Sequence, residues 1–276
     1  MSKLTKMEHK LHKQACDILL KDNLTYDEKW FVAENWHEGA THEQGFAGAY
    51  FTPLPIARGV AMHASGQRRV IDICAGIGTL AFALHEWTGW HNVRPEIVCV
   101  ERNPDYIAVG KKILPEATWI EADVFDLPSD LTGFDCAISN PPFGRVRTAP
   151  AGLKHSAEYE VIRVASQIAA FGVFVLPAGS VPFSIGQDWH NEFDIECAKY
   201  EKFLADTGIV LEPNCGIMTV GEGIKWRGVK IATEIALAEF ANLRASSKED
   251  DEIEITDSVE SFYDDLPLFA ALRQAA

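Results

Sequence analysis

Between Arg69 and Pro177 short apolar runs alternate with helix-length segments, and this alternation constrains the fold more than any other feature of the chain. The runs at 69–74, 96–101, 117–121, 134–139 and 171–177 have the length and the β-branched and aromatic content of strands. Segments at 78–87, 104–113 and 156–170 have helical spacing. Strands joined through helices lie parallel with helices on both faces, so the prediction is an α/β fold around a parallel sheet. Two later apolar runs, Ile209–Val220 and Val229–Phe240, flank Gly221-Glu222-Gly223 and are expected to close the sheet as an antiparallel hairpin.

Ahead of this core, Leu4, Met7, Leu11, Ala15, Ile18 and Leu19 recur at three- and four-residue spacings, which predicts an amphipathic helix over 3–21. Further helices are expected at 25–36 and at 53–64, the latter with Thr52 as its cap and Pro53 at the first helical position. With 276 residues the chain is long enough for one sizeable core and appendages. The expected organisation is a helical extension over 1–45, an α/β domain over 46–245 with a small insert at 178–207, and an acidic, flexible tail over 246–276.

No apolar stretch approaches the roughly 20 residues needed to span a bilayer. The basic start leads into a mixed polar helix pattern instead of a signal-peptide core. Six scattered cysteines without a Cys-x-x-Cys pair suit reduced thiols in a cytoplasmic protein and point away from a metal site. The net charge of −15 is uneven, with the tail strongly acidic, and a local basic patch can still steer a polyanion. Candidates for nucleic-acid contact are Arg145, Arg147 and Lys154; Lys3, Lys6, Lys10 and Lys13 read better as a solvated face.

The first strand runs into Asp72-Ile73-Cys74-Ala75-Gly76-Ile77-Gly78-Thr79, a small-residue turn opening a helix. Gly76 and Gly78 would let a ligand approach the backbone, and helix-end amides can bind a carboxylate. A dinucleotide-type turn would need a third glycine where Ala81 stands. The second strand ends at Glu101, placed to accept both hydroxyls of a ribose, and the third leads into Asp123, placed to accept an adenine amino group. Each acid alone is more often a cap or a surface charge. Their order at successive strand ends, where open α/β sheets bind ligands, suggests an adenosine with an amino-acid tail.

The fourth strand stops at Asn140-Pro141-Pro142-Phe143. Two prolines offer no N–H to a sheet, and the first biases Asn140 toward an extended conformation. The result is a stiff turn presenting one amide, free carbonyls and an aromatic face, which suits a flat ring bearing an amino group. Alone, these four residues serve equally well as a strand end with a packing Phe.

Together these residues resemble the class I S-adenosylmethionine-dependent methyltransferases, and among them the amino-methyltransferases with an Asn-Pro-Pro-Tyr/Phe motif. Tyr50-Phe51-Thr52-Pro53 is similar to the segment that covers the methionine end of the cofactor in that family. The motif order is similar to the gamma arrangement of DNA adenine-N6 methyltransferases, and the resemblance covers about residues 46–240. It implies a Rossmann-like fold with a mostly parallel seven-stranded sheet and S-adenosylmethionine as cofactor. The implied cofactor residues are Tyr50, Phe51, Thr52, Asp72, Ala75, Gly76, Gly78, Thr79, Glu101, Arg102, Asp123, Val124 and Asn140. The implied catalytic residues are Asn140, Pro141, Pro142 and Phe143, with the amine bonded to the Asn140 amide oxygen and the Pro141 carbonyl and the base stacked on Phe143.

The target implied is N6 of adenine in DNA. Sequence discrimination is expected to be short or absent, because the 178–207 insert replaces the large recognition domain usual in gamma-type enzymes; Trp189, His190 and Asn191 are candidate base contacts there, with packing the better reading for Trp189. Similar motifs also occur in enzymes acting on rRNA adenine or guanine-N2 and on protein glutamine, and a cofactor-binding regulator without catalysis is a third reading. In the tail, Asp265-Leu266-Pro267-Leu268-Phe269 resembles the Gln-Leu-x-Leu-Phe peptide that docks on bacterial sliding clamps, with Asp in place of Gln; packing of Leu266 and Phe269 onto their own domain is the alternative.

Overall fold

A computed structural model describes residues 5–37, 50–89, 94–143, 152–186, 191–221, 224–226 and 231–241. These lie in a compact unit, Met1–Ala241. A second unit, Asn242–Ala276, is outside the described residues, as are Lys3, Arg145, Arg147, Trp189, His190 and the Asp265–Phe269 motif.

Nine strands are described: β1 (Arg69–Ile73), β2 (Glu96–Glu101), β3 (Thr118–Glu121), β4 (Phe134–Ser139), β5 (Ala169–Pro177), β6 (Phe183–Ile185), β7 (Asn191–Phe193), β8 (Glu212–Pro213) and β9 (Thr233–Glu239). Seven form one sheet in the order β3-β2-β1-β4-β5-β9-β8. The first five are parallel, and β9 runs antiparallel to both β5 and β8. This is the class I methyltransferase fold. The predicted strand–helix alternation produces it because a helical segment joins β1 to β2, β2 to β3 and β4 to β5.

Each helix has a local cause. α1 (Lys6–Leu19) and α2 (Tyr26–Asn35) both begin in capping boxes: the Thr5 and Thr25 hydroxyls accept from the Glu8 and Glu28 N–H groups, and each glutamate accepts from its threonine's N–H. α3 (Leu54–Ala64) and α4 (Thr79–Gly89) are apolar nearly all round and lie in the core. Asn103 caps α5 (Pro104–Ile113) by accepting from the Asp105 N–H, α6 (Ala157–Ile168) feeds β5 directly, and Gly208 at φ 69° ends α7 (Ala198–Thr207). The N-terminal helices join the main core through Ala15, Val32, Ala33 and Trp36. No described helix is long and apolar enough to cross a membrane.

Three details differ from the expectations. Pro53 is itself the cap of α3, without a side-chain hydrogen bond, and the helix begins at Leu54. The first arm of the closing pair shrinks from Ile209–Val220 to two residues, because Pro213 has no N–H to give and the Asn214 side chain accepts from the Gly216 and Ile217 N–H groups, turning the chain away. The 178–207 insert holds its own two-stranded ribbon, β6 with β7, and helix α7.

Candidate functional site

Strand register assembles the site. Asp72 of β1 stands opposite Cys99 of β2 and Ile138 of β4, and Glu101 stands opposite Glu121 of β3. Two residues onward the rows reach Cys74, Glu101 and Asn140 together, with Asp123 just beyond the end of β3. The Ser139 hydroxyl donates to the Ile73 carbonyl and clips the ends of β4 and β1 together. An open cleft lies along this edge. It is lined by every residue named above for the cofactor or for catalysis except Gly78.

The acids are held by backbone donors. Glu101 Oε2 accepts from the Gly76 N–H at 2.8 Å, and Oε1 accepts from Arg102 and Asn103, both at 2.9 Å. Burial pushes its carboxyl above the usual range, and those three donors pull the other way. Asp123 Oδ1 accepts from the Phe125 N–H at 3.0 Å, while Oδ2 lies 3.6 Å from Arg102 Nη1. Asp72 is fully buried; its Oδ2 accepts from the Ala81 N–H in the first turn of α4 at 3.2 Å, and Oδ1 has no hydrogen-bond partner. Burial first, then the Glu101 charge, raise the Asp72 carboxyl to about 8, against the Ala81 bond. The Thr79 hydroxyl beside it is likewise buried without a partner. An adenosine with a cationic amino-acid tail fits these groups: acceptors at the ends of β2 and β3, and a buried carboxylate with a spare oxygen at the end of β1.

The two glycines of the turn owe their identity to the protein's own rings. Both have positive φ, 58° at Gly76 and 78° at Gly78. A Cβ on Gly76 would lie 3.0 Å from the Phe51 ring, and one on Gly78 would lie 2.8 Å from the Trp119 ring. The expected close approach of a ligand is therefore not what excludes a side chain at Gly78. That residue faces Trp119, whose Nε1–H donates to the Leu114 carbonyl at 3.1 Å.

On the other side of the cleft, the Asn140 Nδ2 group donates to the Tyr50 carbonyl at 2.8 Å. Because a carbonyl can only accept, the amide is fixed in one orientation, leaving Oδ1 buried without a partner. Phe143 lies partly exposed at the rim, and the edge of Trp226 meets it with ring centroids 6.2 Å apart at 71°. Trp226 was not among the sequence candidates, nor were the cleft-lining Cys74, Leu80, Val100, Asn103, Tyr106, Ala122 and Phe125. Cys74 carries a signal in retrospect only: it has φ 63°, unusual outside glycine, as it leaves β1 for the turn.

Lys154, the one described member of the basic group, ion-pairs with Asp206 at 3.2 Å, which also holds Lys202 at 2.8 Å. Among the described residues no cluster of His, Cys, Asp and Glu is arranged to hold a metal.

No protein-family model matches the chain, and no curated protein matches its sequence. Solved structures do match. A candidate RNA methyltransferase from Pyrococcus horikoshii is 17% identical over 86% of this chain and 98% of its own, with a TM-score of 0.49. A candidate class I S-adenosylmethionine-dependent methyltransferase from Listeria monocytogenes is 14% identical over 92% and 71%, also at 0.49. The methyltransferase subunit of a type I restriction-modification system from Streptococcus thermophilus is 16% identical over 80% of this chain and 51% of its own, again at 0.49. The fold assignment stands on strand order, and likenesses this distant add nothing about substrate.

Proposed function

We propose that this chain transfers a methyl group from S-adenosylmethionine to an exocyclic amine, with N6 of adenine in DNA as the target that fits best. One observation carries the reading: Asn140 is pinned by its Nδ2 group to the Tyr50 carbonyl, so its unpartnered oxygen is an acceptor at the cleft. An amide turned this way suits an N–H donor and repels a carbonyl.

Glu101 would accept from the ribose hydroxyls and Asp123 from the adenine amino group, while Asp72 Oδ1 is the acceptor available to the cationic tail. When bound, S-adenosylmethionine supplies an electrophilic methyl group. The chain's own residues act on the amine. An aromatic amine is a poor nucleophile because its lone pair is delocalised into the ring. Acceptance of its two N–H groups by Asn140 Oδ1 and the Pro141 carbonyl favours a more tetrahedral nitrogen with that lone pair available. Positioning and a fixed acceptor supply the catalysis, without a strong base. Phe143 offers the stacking face, held edge-on by Trp226. A base within a duplex must first be extruded, which costs a few kcal/mol. A sliding-clamp contact through Asp265–Phe269 belongs to the same reading and would point to DNA.

The test is a substrate panel with methyl-tritiated cofactor: duplex DNA, single-stranded DNA, rRNA fragments and glutamine-bearing protein. Label is expected in DNA. Label confined to RNA or protein would move the target while keeping the chemistry, and no transfer to any amine would overturn the reading.

A further inference from the structure

We propose that Trp36, which lies outside the cleft, is a positioning residue that seats the aromatic wall of the cofactor site. The inference depends on the cofactor reading above and goes beyond it by assigning the N-terminal helices a part in binding. Phe51 and Tyr106 form one wall of the cleft, their ring centroids 5.1 Å apart and nearly perpendicular at 77°. Phe51 precedes α3 and Tyr106 belongs to α5, so neither lies on a strand that carries the acids. Trp36, the C-terminal cap of α2, touches both from behind: its ring lies 5.6 Å from Phe51 and 5.8 Å from Tyr106, the latter edge-on at 84°.

Trp36 is itself seated by α1. The His37 N–H donates to His12 Nδ1 at 3.0 Å, and the His12 ring lies 5.8 Å from Trp36. Contacts therefore run from α1 through Trp36 to Phe51 and on to the Gly76 turn, where the Phe51 ring stands 3.0 Å from the position of an added Cβ. Removing the indole opens a cavity behind Phe51 and Tyr106 and frees their rotamers. Ligand binding must then reorder the wall, and affinity falls by the fraction of molecules in which it is formed.

The experiment is calorimetric titration of the full chain with S-adenosylmethionine and S-adenosylhomocysteine, comparing wild type, Trp36→Leu, Trp36→Phe and Phe240→Leu. Phe240 is fully buried, but its N–H donates to the Ala170 carbonyl at the start of β5, on the sheet edge opposite the cleft; it reports general destabilisation. Trp36→Leu is expected to weaken binding about tenfold, equivalent to about 1.4 kcal/mol. Trp36→Phe should weaken it about threefold, and Phe240→Leu should leave it unchanged. KM for the cofactor should rise with Kd while kcat at saturation stays within about threefold.

Wild-type affinity in Trp36→Leu, or equal weakening in both Leu variants, overturns the inference. Should Trp36→Leu fail to fold, unchanged affinity in Trp36→Phe overturns it instead. Failure of the wild-type chain to bind either ligand would overturn the cofactor reading and this inference with it, so the two failures are distinguishable.

Discussion

The two halves of the sheet edge are built in opposite ways. Along β1, β2 and β3 the polar groups come from strand ends, and main-chain N–H groups hold Glu101 with three bonds and Asp72 and Asp123 with one each. At β4 the Asn140 amide, the proposed acceptor of the amine, is tethered to Tyr50, a residue 90 positions away, and its oxygen is buried without a partner. The first half fixes its acids through regular structure. The second depends on the Tyr50–Thr52 segment, which also walls the first, so the proposed cofactor and amine sites share a part. Substitutions can pull the halves apart.

The largest expected effect is Asn140→Asp. The replacement is isosteric, but a carboxylate oxygen would face the Tyr50 carbonyl, and the anchoring bond would become a repulsion. Turnover should fall about 10³-fold while cofactor affinity stays within about threefold, as rapid-quench assays and titration would show. Equal losses in both would mean the halves are not separable.

Glu101→Gln tests the other half. Both of its oxygens face N–H donors, so either orientation of a glutamine sets an NH₂ group against a backbone N–H. Cofactor Kd should rise about 30-fold, roughly 2 kcal/mol, with a smaller change in kcat at saturation.

Gly78→Ala separates folding from binding within one turn. Positive φ and the Trp119 ring should lower stability by about 1–2 kcal/mol in thermal unfolding, with cofactor affinity retained below the transition. A specific loss of affinity would restore Gly78 to the binding surface.

A pH dependence is expected as well. Asp72 holds its proton in the folded chain up to about 8, far above its unfolded value, so its contribution to stability is present at low pH and is lost as pH rises toward 8. The slope contributed is at most about 1.4 kcal/mol per pH unit. Asp72→Asn should flatten denaturant-derived stability between pH 5 and 8, roughly the window this shift opens. A cationic ligand favours the carboxylate, so cofactor binding should release a proton below pH 8, and Asp72→Asn should abolish that release.

The fold was legible because its cues are local. Strand-length apolar runs, helical spacing and the order Asp72, Glu101, Asp123, Asn140 need no knowledge of distant contacts, and parallel register then brings those residues to one edge. What stayed hidden depends on segments far apart in sequence. Gly78 looks like a ligand-approach glycine until Trp119 is seen against it, and Trp36 looks like an ordinary helix residue until Phe51 and Tyr106 pack on it. The short β8 shows a different limit: Asn214 takes over backbone bonds that an apolar run would otherwise have given to the sheet.

The most direct test of the account is nucleoside mass spectrometry on DNA and RNA incubated with the chain and methyl-deuterated S-adenosylmethionine, with Asn140→Ala in parallel. The account predicts deuterated N6-methyladenosine nucleosides from DNA with the wild-type chain and none with Asn140→Ala. Methylation at carbon or at a ring nitrogen, or equal methylation by the Asn140→Ala chain, would contradict the claim that a fixed amide selects an exocyclic amine.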